Sequence, residues 1–557
     1  MQATRTARPW AHAPIVAIGV VTGVVARAVT IVIACGTPLS ALTDDRSGQE
    51  PLTPLAREGQ QIYLTGTSTD GSAITAQFGS GADRVAADGR LFPCLKCHGH
   101  DGRGRPEGGQ VPSDISRPAL SRPYAVGRKG RREHGPYNTD TLIRAIAKGI
   151  DSSGNALSVD MPRYRMSAPI QQALAAYLLT LGTVADPGLA PQKIRLGVVL
   201  PPEGLLDGMG QAVHLAAEAY VQWLNEQGGL FGRVLEVDYL RPPEDPSERL
   251  RVVREFLSEG DILTLVASHA GGVEAGMASL AEQIRIPIIG LLTAPGVHRE
   301  TGRYVFHVLP DLSLQGQALL QVARDQVNGP TRAVIVFSDT GRHDTGRHDT
   351  GRHKRVAQRI TAAVQQSGVR PWDSLTAVEL PSRGAALGRM VEDLRDTDTA
   401  AVMFLGSQAQ AEALLAATQK ADWSPLLLLS GPLIGASLLG KIADPRQVLL
   451  AFPTAPSRSE TSARHLHLAR SASLPKRYLG AQVFTLHALE SLAQGLRLAG
   501  RNVTREALVD ALESFDGYRS GFAPALTFGP YRREGASGSF VVSFASDGPK
   551  ARWVSLR

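Results

Sequence analysis

The sequence predicts a multidomain chain: a small all-α unit near the N-terminus, then a larger two-lobed α/β unit built on parallel sheets. Three observations predict it. Short helical patterns surround the run Cys94-Leu95-Lys96-Cys97-His98. A short Pro/Gly stretch, residues 184–192, closes that region. Beyond it, apolar β-type runs alternate with amphipathic helical stretches in two successive series, as in parallel sheets covered on both faces. A length of 557 residues is also too great for one domain.

The run at Cys94 reads C-x-x-C-H, the pattern that attaches a c-type haem. Two thiols at this spacing reach the two vinyl groups of one porphyrin, and His98 then sits under the iron as proximal ligand. A zinc knuckle would need a second ligand pair, and the only other cysteine is Cys35. Upstream, Gly59 and Tyr63 share one face of a first helix, and the small residue lets a crossing helix approach. Downstream, Gly99–Gly104 is a tight glycine-rich loop, and Pro112 is placed for its carbonyl to accept the His98 Nδ1–H. Thr141–Gly149 reads as a glycine-closed amphipathic helix, and a last helix spans about 168–181. Between them Met161 is the expected sixth ligand, because Pro162 stiffens the loop that presents it. Met166 is the alternative.

Residues 55–183 therefore resemble class I cytochrome c, on C-x-x-C-H, the glycine-rich loop, Leu142…Ala145-Ile146…Gly149 and Met161-Pro162-Arg163-Tyr164 in that order. The resemblance implies an all-α domain with one covalent haem c, held by Cys94 and Cys97 with His98 and Met161 as axial ligands. It also implies a periplasmic redox partner such as a dehydrogenase or a respiratory cytochrome. The stretch Thr65–Arg90 departs from the pattern and reads as a surface insertion.

Residues 1–35 read as a signal peptide: Arg5 and Arg8 precede an apolar run that ends near Ala34. Arg27 inside that run argues against a permanent membrane anchor. Val32-Ile33-Ala34-Cys35 resembles a lipoprotein box, with acylation at Cys35, and plain secretion is the other reading. Both imply the periplasm. Residues 36–54 form a linker. Two cysteines for haem and one for lipid leave none for disulfides. The net charge of +7 is dispersed, with no basic stripe interleaved with aromatics, which excludes a nucleic-acid partner.

After the linker 184–192, strands are expected at Ile194–Leu200, Val234–Tyr239, Ile262–Ala267, Ile286–Leu292 and Tyr304–Leu309. A second series follows at Ala333–Phe337, Leu375–Leu380, Ala400–Leu405 and Leu426–Leu429. Ligands of open α/β sheets bind at the carboxyl ends of strands, so two such lobes enclose a cleft. On Ile194–Pro201, Asn225–Gly232, Ile286–Pro295 and Leu526–Gly529, residues 193–557 resemble the type I periplasmic binding proteins, in particular the branched-chain amino acid and amide receptors of ABC importers. The resemblance implies ligand contacts at Ser268, His269, Ala270, Thr293 and Leu433. Thr293 matches a carboxylate contact of that family. Ala270 stands where the gripping serine is expected, and Leu433 where the ammonium-binding acid is expected. An ammonium left unpaired in a closed cleft is costly, so the expected ligand is a small organic molecule that is not a zwitterionic amino acid.

Asp339–His343 is repeated twice more, through His353. Spacing by five puts His343, His348 and His353 on different helix faces, a poor metal site, and the repeat reads as an extended loop. No G-x-S-x-G, P-loop or H-E-x-x-H occurs, so no enzyme is expected. Two functions remain: a monohaem c-type cytochrome whose electron transfer is coupled to small-molecule binding, or a solute-binding receptor or sensor in which the haem is accessory.

Overall fold

The computed structural model describes residues 52–556 except 80–84, 105–111, 123–133, 184, 205, 294–301, 329–331, 339–350, 367–371, 382–383, 434–437, 439, 443, 457–462 and 546–547. The expected signal segment and Cys35 lie outside the described residues. Among the described residues no helix is long and apolar enough to cross a membrane.

The first segment opens with α1 (Pro54–Thr65), started by Thr53, whose side chain accepts from the Ala56 N–H at 3.2 Å, and by a proline in its first turn. It crosses α5 (Ala168–Leu178) so closely that a Cβ on Gly59 would stand 1.9 Å from the Ala173 carbonyl oxygen. Between them lie α2 (Cys94–His98), α3 (Arg117–Leu120) and α4 (Thr139–Lys148), the last opened by an Asn138 capping box. This segment is not all-α. The Thr65–Arg90 insertion folds into β1 (Thr75–Phe78) and β2 (Val85–Asp88), and β1 pairs antiparallel with β3 (Arg163–Arg165). The insertion thus supplies a strand that braces the chain just after Met161. The segment has an apolar core of its own, from Ile62 to Leu181, within the compact unit Leu52–Arg557.

The first lobe carries a five-stranded parallel sheet, ordered β5-β4-β6-β7-β8: β4 (Lys193–Val199), β5 (Val234–Leu240), β6 (Thr264–His269), β7 (Ile288–Leu292) and β8 (Val305–Phe306). Helices α6 (Asp207–Glu226), α7 (Pro246–Glu259) and α8 (Glu274–Ile284) connect the strands. The chain then passes through α9 (Leu312–Gln326) into a seven-stranded sheet, ordered β10-β9-β11-β12-β13-β14-β15. Its members are β9 (Arg332–Phe337), β10 (Ser374–Glu379), β11 (Thr399–Leu405), β12 (Leu426–Ser430), β13 (Val448–Phe452), β14 (Gly538–Ala545) and β15 (Gly548–Ser555). Helices α10 (Arg352–Gln366), α11 (Gly384–Asp396) and α12 (Gln408–Lys420) cover it. β14 and β15 are antiparallel, unlike the five before them.

The lobes interleave, where the sequence suggested two consecutive series. Helices α13 (Ala463–Ser471), α14 (Leu479–Ala499) and α15 (Arg505–Glu513) return to the first lobe. Leu468, Phe484, Leu489 and Leu508 share its apolar core with Ile194, Val198 and Ile288. The chain therefore crosses between lobes near Leu309, near Thr454 and near Ser537. Two of these crossings lie side by side: His307 and Glu534 form a parallel bridge, with the His307 N–H on the Arg533 carbonyl at 2.8 Å and the Gly535 N–H on the His307 carbonyl at 2.9 Å.

The stretch 185–192 is fixed rather than a loose tether. The Gly188 N–H donates to Asp261 at 2.8 Å, the Arg195 N–H donates to the Gly188 carbonyl at 2.8 Å, and Leu189 bridges Ile194. The third copy of the pentapeptide repeat also departs from an extended loop. Arg352 and His353 open α10, and the buried His353 ring bonds the Ser338 carbonyl through Nδ1 at 2.7 Å. His343 and His348 lie outside the described residues, and no metal-holding cluster occurs among those described.

Candidate functional site

The carboxyl end of β8 leads directly into α9 of the second lobe, and the carboxyl end of β13 leads back toward α13 of the first. Each sheet therefore turns its carboxyl edge to the other lobe, and the loops on those edges enclose the cleft. On the first lobe these are the loops after β4, β6 and β7. Tyr478 joins them. It holds a left-handed backbone (φ 58°) at the start of α14, is 45% exposed, and lays its ring on α6, where a Cβ on Gly208 would meet it at 2.6 Å. Sequence reading passed over Tyr478, because its place depends on the return of α14 to the first lobe.

The five expected ligand residues divide. Ser268 is not available to a ligand: its fully buried hydroxyl accepts from the Val199 N–H at 3.0 Å and donates to the Val266 carbonyl at 3.2 Å, stitching β6 to β4. Ala270 is also fully buried, with its N–H on the Leu292 carbonyl at 3.0 Å. Leu433 leans on the apolar core of the second lobe. Thr293 is half-buried beyond β7. His269, half-buried at the end of β6, keeps its Nδ1 without a hydrogen-bond partner. Burial, reinforced by the Arg249 cation, lowers the His269 pKa to about 4. Arg249 itself is buried, donating to the carbonyls of Pro243, Glu244 and Gly271, and it holds the loop after β6 in place. His269 is thus a neutral imidazole whose Nδ1 is buried without a hydrogen-bond partner.

Across the cleft, β11 is followed by Gly406-Ser407, β12 ends at Ser430 and is followed by Gly431-Pro432, and β13 is followed by Pro453-Thr454-Ala455, none of which carries a charge. The Ser430 hydroxyl donates to Gln315 at 3.1 Å, and the Gln410 amide donates to the Ser338 hydroxyl at 2.7 Å. On the first lobe, beside the loop after β4, an open cavity of about 520 Å³ is lined by Leu200, Asp207, Gln211, His214, Tyr239 and Arg241.

His487, fully buried on α14 with Nδ1 on the Ser520 hydroxyl at 2.6 Å, is pushed to about 3 by burial. Both His269 and His487 are therefore neutral in the folded chain, and each has a folded pKa below its unfolded value of about 6.5. Their contribution is complete above that value. It is lost as pH falls toward 4 for His269 and toward 3 for His487, because the unfolded chain takes up protons first. Melting temperature should fall over that window, and His487→Gln should flatten the low end of the profile; a pH-independent melting temperature would contradict this.

The C-x-x-C-H helix occupies the other end of the chain. Cys94 and Cys97 are in no disulfide, and burial raises the Cys94 thiol to about 12. His98 Nδ1 stands 3.0 Å from the Ser113 carbonyl, one residue beyond the expected Pro112, which orients the ring and leaves Nε2 for another partner. Burial lowers the His98 pKa, favouring the neutral ligand form. Two tyrosines fix the helix: Tyr63, fully buried, donates to the Gly99 carbonyl, and Tyr164 donates to the Phe92 carbonyl, each at 2.6 Å. Arg163 donates to the carbonyls of Leu157, Ser158 and Met161, shaping the loop that carries Met161. Met166 packs against the apolar cluster that also takes up Cys94 and Leu95. Leu91 (57% exposed), Phe92 (38%) and Val159 (73%) leave apolar surface around this segment. Paired thiols, an oriented imidazole and uncovered apolar side chains fit a covalent haem.

Two interleaved α/β lobes with facing carboxyl edges define a two-lobed ligand-binding receptor. The profile of the periplasmic binding proteins matches residues 193–549, and the chain belongs to that family. It is a periplasmic ligand-binding receptor of the ABC substrate-binding type. Among solved structures it is similar to an ABC transporter substrate-binding protein from Desulfitobacterium hafniense (15% identity, 65% of this chain and 100% of that one, TM-score 0.51). It is also similar to a fatty acid ABC transporter substrate-binding protein from Thermomonospora curvata (17%, 67% and 94%, TM-score 0.49) and to a substrate-binding periplasmic protein from Ralstonia solanacearum (20%, 65% and 100%, TM-score 0.47). No curated protein matches the chain.

Proposed function

We propose that this chain is a solute receptor for a small carboxylate without an ammonium group, and that it carries one covalent haem on residues 52–183. The observation that supports the ligand class is the uncharged second-lobe edge after β11, β12 and β13. Among the described residues immediately after those three strands there is no carboxylate to sit beside an ammonium, so a zwitterion brought there would be desolvated without a partner. On the first lobe, Thr293 and the neutral His269 supply hydrogen-bonding groups for a carboxylate, with Tyr478 at the mouth. Closure of the second lobe onto the first excludes water and strengthens those bonds.

The haem reading rests on His98, whose Nδ1 bond to the Ser113 carbonyl leaves its other nitrogen for iron. Cys94 and Cys97 would form the thioethers, His98 would supply the fifth ligand, and Met161 the sixth, with Met166 as its rival. When bound, the haem supplies one-electron redox chemistry. Tyr63 and Tyr164 hold the attaching helix in place, and Arg163 with β1 holds the Met161 loop. Electron exchange with a periplasmic dehydrogenase or respiratory cytochrome is the second reading, in which the cleft recruits the substrate. Export as a lipoprotein through Cys35 belongs to the same proposal.

Mass spectra of protein purified from its own host, native and then denatured, test both readings. A haem mass that survives denaturation supports thioether attachment, and its absence removes that reading. A further small mass seen only natively is the solute; a free amino acid there overturns the ligand class. Met161→Ala should replace a methionine-ligated spectrum with an altered one. An unchanged spectrum, altered instead by Met166→Ala, would transfer the sixth ligand to Met166.

A further inference from the structure

The loop that follows His98 does not face solvent as a free turn. Its side chains engage the first lobe of the receptor at three successive polar positions. His100 Nδ1 meets the Arg285 guanidinium at 2.7 Å. Asp101 accepts from the Thr504 hydroxyl at 2.8 Å. Arg103 donates to the Asn502 carbonyl. A fourth tie comes from the connecting stretch, where Asp186 accepts from the Arg505 N–H at 2.5 Å. The loop is tight: a Cβ on Gly102 would meet Leu181 at 2.5 Å, and one on Gly104 would meet the Pro112 carbonyl at 2.2 Å. It therefore transmits position rather than absorbing it.

Arg285 is the informative member. It ends α8 in the left-handed region (φ 52°), with its N–H on the Ala281 carbonyl. Glycine meets that conformation at less cost, so the strain is offset by something the side chain does. Here the guanidinium bonds His100, two residues beyond the proposed iron ligand, and its charge also acts on Tyr177 of α5. The opposite end of α8 follows directly from the loop of His269, Ala270 and Gly271. One short helix thus joins the ligand loop to the haem loop.

We infer that the first lobe is the permanent dock of the haem-bearing segment, and that Arg285 is a positioning residue of the haem site supplied by the receptor lobe. The electrostatic part rests on the haem reading above; the dock does not. A fixed cation beside the loop after His98 favours the state holding the extra electron, so its loss lowers the reduction potential. Residues 52–183 move with the first lobe, and cleft closure displaces the second lobe relative to both.

The test uses the full chain in four forms: wild type, Arg285→Ala, Arg285→Lys and Thr504→Ala. Redox titration of the covalent holoprotein should give Arg285→Ala a lower midpoint by roughly tenfold in the reduction equilibrium, about 59 mV for one electron. The charge-retaining Arg285→Lys should restore most of it. Hydrogen exchange should quicken over residues 99–104 in Arg285→Ala and in Thr504→Ala, with exchange in β9–β13 unchanged. Equal midpoints for wild type and Arg285→Ala in a haem-loaded chain overturn the positioning role. Unchanged exchange over 99–104 in both variants overturns the dock. A chain without covalent haem overturns the haem reading and the positioning role together, and the exchange measurement on that same chain still decides the dock.

Discussion

Cys94→Ser combined with Cys97→Ser should yield a chain with no covalent haem and no absorbance from one, while the receptor lobes fold normally. The reason is chemical. A serine hydroxyl does not add to a vinyl group, and the His98 bond alone leaves a porphyrin free to dissociate. Neither cysteine stabilises the lobes: both lie on α2, and the apolar clusters of the receptor lobes contain neither of them and no residue before Leu189. Denaturing mass spectrometry reads the haem, and circular dichroism reads the fold. A variant that keeps a covalent haem would disprove attachment at this motif.

Arg505→Leu should be the most destabilising single change in the receptor lobes. The guanidinium is buried and donates to the carbonyls of Leu263 at 3.0 Å, Ile284 at 3.2 Å and Ile262 at 2.5 Å. The backbone N–H of Arg505 also binds Asp186, whose carboxyl is raised by burial, an effect that this bond and the guanidinium charge offset in part. Leucine would fill part of the volume and keep the backbone N–H on Asp186, but it would leave the three carbonyls without their donor and the acid without the nearby cation. Breaking a buried charge network by removing one member costs about 3–5 kcal/mol. Urea unfolding should show the midpoint falling at constant slope; a loss under about 1 kcal/mol would show that water replaces the guanidinium.

Much of the α/β fold was legible because buried parallel strands are continuous apolar runs. β4, β9 and β12 needed little beyond Ile194–Leu200, Ala333–Phe337 and Leu426–Leu429. The run Val448–Phe452 has the same character and was passed over. β15 was hidden by Lys550 and Arg552, polar residues of an edge strand. The interleaving of the lobes was not legible at all. It rests on contacts between residues far apart in the chain, such as the Tyr220 hydroxyl on Glu490 at 2.6 Å. The ligand site was half legible. Strand ends locate its loops, but nothing in the sequence shows that the Ser268 hydroxyl turns inward to β4 while the His269 Nδ1 is buried without a partner. The C-x-x-C-H motif was legible from spacing alone. The partner of His98 was missed by one residue, and the strand that the insertion adds beside Met161 was not foreseen.

Calorimetry on the full chain with 4-methylpentanoate and with leucine tests the central claim most directly. The two differ by the ammonium group alone, and the carboxylate and branched tail are shared. Binding of 4-methylpentanoate with leucine at least tenfold weaker is the predicted result, since each factor of ten is about 1.4 kcal/mol and an unpaired buried ammonium costs more. Tight leucine binding would contradict the account, and would mean that the second lobe brings a carboxylate to the cleft after all.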